Sequence, residues 1–214
     1  MNVAVLASGA GTNLQALLDQ VHGQDGIQVV AVASDKPDAP ALARAERAGV
    51  PTASFQQSDY ESRAERDRAM GDWLLELGTE LIVLAGYMQL VTPEFLERFR
   101  ASVINVHPAL LPAFPGLRAI DQAIEYGVKV FGVTVHFVDE GVDSGPIILQ
   151  RSVEIPAPRD AEAVLEELQP IEHQLLPQAV RLIAAGAVRL DPANPRRVLV
   201  DDPSVGKLTV NRDR

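Results

Sequence analysis

The order of apolar and amphipathic segments along the chain constrains the fold more than any other feature. Short aliphatic runs alternate with longer segments of helical periodicity, which is βαβα order. The predicted strands are residues 3–7, 27–33, 81–85 and 103–106, and the predicted helices are residues 14–20, 39–48, 59–77 and 93–100. Because these strands are apolar throughout, we expect an α/β fold with a mostly parallel, Rossmann-like open sheet and helices on both faces.

The pattern changes in the C-terminal half. A short helix over residues 119–125 precedes two strands, 130–137 and 147–153, and the loop between them contains no helix, so we expect antiparallel pairing there. Residues 160–185 predict a helix that breaks or kinks at Pro170, because an interior proline costs about 3 kcal/mol. We expect one domain over residues 1–190 and a polar tail over residues 191–214, with a short edge strand near residues 198–200.

Charge and composition exclude several classes of function. A net charge of −10 argues against broad binding to nucleic acid or to an anionic membrane. The apolar start of the chain is too short for a signal peptide or a membrane span, so we expect no membrane partner. The absence of cysteine excludes disulfides and suits a reducing cytosol, so we expect a cytoplasmic protein. No His, Asp or Glu cluster has metal-ligand spacing, and we predict no metal.

A glycine-rich loop follows the first strand and opens onto a helix. Gly9 and Gly11 allow a tight turn before Thr12 and Asn13, and the free N–H groups of the first helical turn can hold a phosphate. Leu14 stands where a dinucleotide-binding loop has its third glycine. The alternative is a plain tight turn that only caps the helix.

Polar side chains stand at the end of a central strand. Asn105 and His107 lie on the same side of an extended backbone, at the carboxyl end of a strand, where open parallel sheets bind their ligands. Asp143, in the long polar loop between the two late strands, is the candidate carboxylate partner for His107. The alternatives are an Asn-His pair that only ends its strand and an ordinary loop carboxylate. His136 is a secondary candidate, because lone histidines are more often structural.

These motifs together resemble the phosphoribosylglycinamide formyltransferase family, the folate-dependent enzymes of purine synthesis. The resemblance rests on VAVLASGAGTNLQALL, LAGYM, INVHPALLPAFPG, GVTVHFVDEGVDSGPIILQ and Glu172-His173, and it extends to about residue 185. It implies that residues 1–190 form a formyltransferase domain, which transfers the formyl group of 10-formyltetrahydrofolate, as co-substrate, to the amine of glycinamide ribonucleotide. These two small molecules are then the partners. The oligomeric state, monomer or homodimer, stays open.

The resemblance also implies roles for individual residues. Asn105, His107 and Asp143 would be catalytic, and Gly11, Thr12, Asn13 and Glu172 would bind the acceptor. The residues implied for the folate are Arg63, Met88, Gln89, Leu90, Val91 and Asn105. Three departures weaken individual binding assignments: Gln89 stands where the family often has arginine, Arg118 where a histidine is common, and residues 167–170 replace a more basic helical segment. Gln89 can still contact the folate through its main chain.

Three alternatives remain from the sequence. Methionyl-tRNA formyltransferase has a similar Asn-His-Pro centre but adds a C-terminal nucleic-acid-binding domain, and formyltetrahydrofolate hydrolase adds an N-terminal regulatory domain. We do not expect the tRNA enzyme, because it has a different first loop and this chain is acidic with no room for that C-terminal domain, and we do not expect the hydrolase, since Met1 lies just before the first strand. A noncatalytic nucleotide-binding module would explain the glycine loop, but not Asn105, His107 and Asp143 together.

Overall fold

A nine-stranded sheet forms the centre of the protein, and the structure, a computed structural model, describes residues 1–201. Its order is β3-β2-β1-β4-β5-β6-β7-β9-β8. The strands are β1 Asn2–Leu6, β2 Gln28–Ser34, β3 Thr52–Ser54, β4 Leu81–Leu84, β5 Val103–His107, β6 Val130–Phe137, β7 Ile147–Glu154, β8 Val188–Asp191 and β9 Asn194–Val200. The pairs among β1 to β5 are parallel, whereas β6 pairs antiparallel with both β5 and β7. The mostly parallel sheet with a mixed C-terminal part is therefore confirmed.

Helices cover both faces of this sheet. They are α1 Thr12–Gln20, α2 Pro40–Arg47, α3 Arg63–Glu76, α4 Pro93–Arg98, α5 Ala119–Tyr126 and α6 Ala161–Ala184. In β1, Val3 and Val5 belong to the apolar cluster under α1, α2, α5 and α6, and Ala4 and Leu6 belong to the cluster under α3 and α4. Burial on both faces explains why the interior positions of the central parallel strands are mostly apolar.

The strands predicted before α6 agree with the observed ones to within one or two residues, but β8 was not predicted and β3 was missed. It has only three residues, Thr52–Ser54, it lies at the edge of the sheet, and none of its side chains is fully buried. A strand this short has too few side chains to show a period of two.

The predicted break at Pro170 is wrong, since α6 is one continuous helix of 24 residues that contains Pro170 and Pro177. Pro177 cannot donate to the carbonyl of His173, four residues earlier, but the Gln20 Nε2 amide donates to that carbonyl at 2.9 Å. Glu166, four residues before Pro170, is exposed, so water can replace the bond missing there. Tertiary contact and solvent thus compensate for the two prolines.

A β-hairpin follows α6. Strands β8 and β9 pair antiparallel, and Arg197 of β9 pairs with Ile147 of β7, which attaches the hairpin to the sheet. The strand predicted near residues 198–200 is confirmed as the end of β9, but its predicted edge position is wrong, because β9 lies between β7 and β8 and β8 is the edge strand. The domain boundary predicted after residue 190 falls within this hairpin and stays a prediction, and residues 202–214 of the predicted tail lie outside the described part.

Candidate active site

The carboxyl end of β5 carries two of the predicted site residues. Asn105 is half-buried and His107 is buried, and they are two residues apart, so both side chains leave the strand on the same side. The antiparallel neighbour β6 places His136 directly opposite Asn105 in the register. Sheet pairing therefore brings the secondary candidate, His136, to the same end of the sheet.

Asp143 contacts all three of these residues. Its Oδ2 lies 3.3 Å from His107 Nδ1 and accepts a hydrogen bond from the Gly116 N–H at 2.7 Å. Its Oδ1 accepts from Asn105 Nδ2 at 3.2 Å and lies 3.5 Å from His136 Nε2. The Asp143 backbone has φ 49°, a left-handed conformation that is uncommon for a residue with a side chain.

The surroundings of Asp143 keep its carboxylate ionised. Burial by itself raises the pKa of Asp143, but hydrogen bonds from His136 and the Gly116 N–H, with the positive charges of His107 and His136, outweigh it and leave the pKa below its ordinary value. Asp143 is therefore an acceptor at neutral pH, with both oxygens occupied by donors.

Both ring nitrogens of His107 face oxygen atoms. Nδ1 faces Asp143, and Nε2 lies 2.9 Å from the carbonyl oxygen of Phe114, to which it donates. The loop after β5 supplies this carbonyl as well as the Gly116 N–H that binds Asp143. An imidazolium can satisfy both oxygen atoms at once, so the arrangement suits a charged His107.

His136 is almost fully buried, with 2% of its side chain exposed. Its Nδ1 donates to the carbonyl of Phe137 at 2.7 Å, and its Nε2 lies 3.2 Å from Asn105 Nδ2. The ring therefore holds the Asn105 amide from the side opposite the solvent. The sequence alone could not show whether His136 belongs to the site or only to the protein interior. Its contact with Asn105 depends on the register of β5 against β6.

A cavity of about 940 Å³ opens in front of this cluster. Most of the predicted site residues line it: Asn13, Arg63, Met88, Gln89, Leu90, Asn105, His107, Asp143 and Glu172. A smaller cavity of about 260 Å³ is lined by Val91 and by residues of the loop that carries Asp143, and Asn105, His136 and Asp143 contribute to it. Of the glycine loop, Asn13 lines the larger cavity, whereas Gly11 and Thr12 are not among its lining residues.

Asn13 and Glu172 meet at one end of the larger cavity, although 159 residues separate them. Asn13 Nδ2 donates to Glu172 Oε2 at 2.8 Å, and both residues are buried. Burial raises the pKa of Glu172, and the Asn13 hydrogen bond opposes this only in part. Asn13 Oδ1 has no hydrogen-bond partner within residues 1–201.

The apolar wall of the larger cavity was not predicted from the sequence. Leu117, Val142 and Leu165 line it, and they are 73%, 50% and 36% exposed. They lie on two loops and a helix that are distant in sequence, so no periodic pattern links them. Arg118, one of the three departures from the family pattern, also lines this cavity and is exposed.

No helix within residues 1–201 is long and apolar enough to cross a bilayer. Over the same residues, no group of three or more His, Asp or Glu side chains is arranged to hold a metal ion.

The fold and the site define the class of protein. An open, mostly parallel α/β sheet that gathers polar groups at the carboxyl end of a central strand, facing a cavity, is typical of α/β enzymes that bind small molecules in that crevice. The sequence model described as Formyl transferase matches residues 1–180. The chain therefore belongs to the formyl transferase family of enzymes, and the resemblance found in its motifs is confirmed.

Named relatives agree with this family. The chain is 42% identical to phosphoribosylglycinamide formyltransferase of Haemophilus influenzae over 88% of its own length and 89% of the relative. It is 41% identical to the trifunctional purine biosynthetic protein adenosine-3 of Bos taurus, over 88% of this chain but only 19% of that protein. The crystal structure of glycinamide ribonucleotide transformylase 1 from Symbiobacterium toebii is similar with a TM-score of 0.90 and 45% identity, over 94% of both chains.

Proposed function

We propose that this protein transfers the formyl group of 10-formyltetrahydrofolate to the amine of glycinamide ribonucleotide. The observation that carries the proposal is the joining of Asn105, His107 and Asp143 by hydrogen-bond and ion-pair contacts in front of the larger cavity. A noncatalytic binding module has no need of a half-buried, ionised Asp beside a histidine. The names of the relatives support the same reaction.

In the proposed reaction, the lone pair of the uncharged amine attacks the formyl carbon. The π electrons of the C=O bond move to its oxygen, and the bond from carbon to N10 of the folate then breaks, while the proton lost by the amine passes to N10. Asn105 and His107 are the donors for the developing oxyanion. Asp143 holds His107 as a cation and helps to relay the proton.

One consequence concerns His107. Because its Nε2 donates to the Phe114 carbonyl, the ring reaches the formyl oxygen only when that bond opens. The Asn105 amide is also occupied before substrate binds, since one of its two hydrogens is directed at Asp143 Oδ1 and the other lies towards His136 Nε2, each at 3.2 Å. We therefore infer that the formyl oxygen reaches both donors only by displacing the Phe114 bond of His107 and one contact of the Asn105 amide.

At the acceptor end, we assign the phosphate to Gly11, Thr12 and Asn13 at the start of α1. Free N–H groups and the helix dipole favour an anion there. Glu172 contacts the polar part of the acceptor, and its raised pKa limits repulsion from the phosphate.

At the folate end, we assign the pterin ring to the smaller cavity and to the main chain of residues 88–91. Exposed Arg63 lines both cavities and offers a cation to a folate carboxylate. We further propose that residues 1–190 form the catalytic domain and that the protein acts in the cytoplasm, which suits a chain without cysteine.

The purified protein tests this function by the release of tetrahydrofolate, followed by its absorbance. We expect turnover only when both 10-formyltetrahydrofolate and glycinamide ribonucleotide are present. Release without the amine would indicate a hydrolase, and release that requires methionyl-tRNA would indicate the other transferase. No release under any of these conditions would refute the proposed function.

A further inference from the structure

A fully buried ion pair lies behind the folate end of the site. Arg66 and Asp67 of α3 are 0% and 1% exposed. Arg66 donates to Asp67 Oδ1 from Nε at 2.9 Å and from Nη2 at 2.7 Å. Charged side chains are rarely buried this completely, and desolvation opposes such a pair, so stability alone is a weak reason for keeping it.

The pair holds the main chain of residues 88–92, here called the folate loop, at two points. Asp67 Oδ2 accepts from the Thr92 N–H at 2.7 Å. Arg66 Nη2 donates to the Leu90 carbonyl at 3.3 Å, and its Nη1 lies 3.5 Å from Gln89 Oε1. The Arg66 cation thus binds a carbonyl of the loop and the Asp67 anion binds an N–H of the loop. Two apolar residues in their place could make neither hydrogen bond.

The folate loop has few other constraints. Met88 and Leu90 are 56% and 58% exposed, so their side chains contribute little burial that could fix the loop. Val91 is partly buried and packs against the apolar cluster under α3 and α4. The remaining anchors are polar: the Met88 N–H donates to Ser8 Oγ at 2.8 Å, and Gln89 Nε2 donates to Asp35 Oδ2 at 3.0 Å. Apart from Val91, hydrogen bonds therefore hold this loop.

The same contacts explain how Gln89 replaces an arginine. Its side-chain amide lies between Asp35 and Arg66, so a guanidinium is still present at this position, but it comes from α3. The Gln89 side chain is thereby hydrogen-bonded within the protein. The main chain of the loop is then the part that can bind a ligand.

We propose that Arg66 and Asp67 are positioning residues that hold the folate loop in the conformation that binds the folate and so set the affinity for this substrate. This inference rests on the proposed function, because it takes the folate loop as the pterin site.

The test compares three variants with the wild type. Arg66→Met with Asp67→Asn removes both charges together, and the amide introduced by Asp67→Asn keeps an acceptor oxygen for the Thr92 N–H while the donor to Leu90 is lost. We expect the KM for 10-formyltetrahydrofolate to rise about tenfold, as one charge-assisted hydrogen bond implies. The KM for glycinamide ribonucleotide should stay within about twofold of wild type, since its end of the cavity keeps every contact. Arg68→Met, an exposed position on the same helix, is the matched control and should change neither constant.

Arg66→Lys keeps the positive charge but not the forked geometry of the guanidinium. It therefore tests the positioning role even if the double variant does not fold. We expect a rise of about threefold in the folate KM alone. Hydrogen exchange of the folate-loop amides, measured without substrate, should be faster in either variant. A folded variant with unchanged folate KM and unchanged exchange would overturn the inference, as would equal rises in both KM values. An inactive wild type would refute the function instead, and the exchange measurement would still test the positioning role.

Discussion

Replacing Asp143 with asparagine tests the core of the proposed mechanism. Four nitrogen atoms surround this carboxylate: the Gly116 N–H at 2.7 Å, Asn105 Nδ2 at 3.2 Å, His107 Nδ1 at 3.3 Å and His136 Nε2 at 3.5 Å. Asparagine keeps the shape but offers one acceptor oxygen and one donor amide. If its oxygen stays with Gly116 and His107, its amide faces Asn105, whose own amide nitrogen cannot accept.

The size of the effect follows from these contacts. The substitution removes the negative charge beside His107 and the acceptor for Asn105. Two charge-assisted hydrogen bonds at about 1.5 kcal/mol each give about 3 kcal/mol, or roughly a hundredfold in rate. Loss of the proton relay lowers the rate further. We therefore expect kcat to fall by about 10² to 10⁴. The KM for each substrate should change much less, because Asp143 acts on the transition state.

The assay is steady-state release of tetrahydrofolate with each substrate varied in turn. Asp72→Asn is the control, because Asp72 pairs with Arg98 on the surface at 2.6 Å and is not among the residues lining either cavity. We expect the control to retain full kcat. Near-normal kcat in the Asp143→Asn protein would refute the role of the His-Asp pair even if the reaction itself were confirmed.

Two further predictions concern the acceptor end. Gly11→Ala should raise the acceptor KM and lower the melting temperature, because Gly11 has φ 70° and a Cβ there would lie 2.8 Å from Ala41. Gly9→Ala meets nothing within 4 Å and is the control, and equal behaviour of the two variants would contradict this reasoning. Glu172→Gln should weaken acceptor binding, yet its stability relative to wild type should improve as the pH rises from about 4 to about 8. The raised pKa of Glu172 stabilises the fold below the unfolded value of about 4.3, and this stabilisation is lost as the pH rises through the folded value, whereas Gln does not titrate. Denaturation at both pH values measures the difference, and a constant difference would contradict it.

The sequence was informative where local pattern decides structure. Continuous apolar runs predicted the buried parallel strands, since both faces of each strand are covered. Asn105 and His107 could be placed together because only one residue separates them on an extended strand. The glycine loop was predicted from its position between β1 and α1.

Other features depend on contacts between distant segments. The helix α6 stays continuous at Pro177 because Gln20, far away in the chain, donates to the freed His173 carbonyl. The contact between Arg66 and Leu90 joins α3 to a segment 24 residues later, and nothing in the pattern of α3 distinguishes a buried Arg from an exposed one.

The sequence by itself thus determined the order of the strands and helices and the residues that end β5, because neighbours along the chain supply the relevant geometry. Only the tertiary structure decided that Asp143 and His136 join Asn105 and His107, since their meeting depends on how β6 pairs with β5 and how the loop before β7 folds back. Side chains brought together by sheet register carry no local signal of their partners.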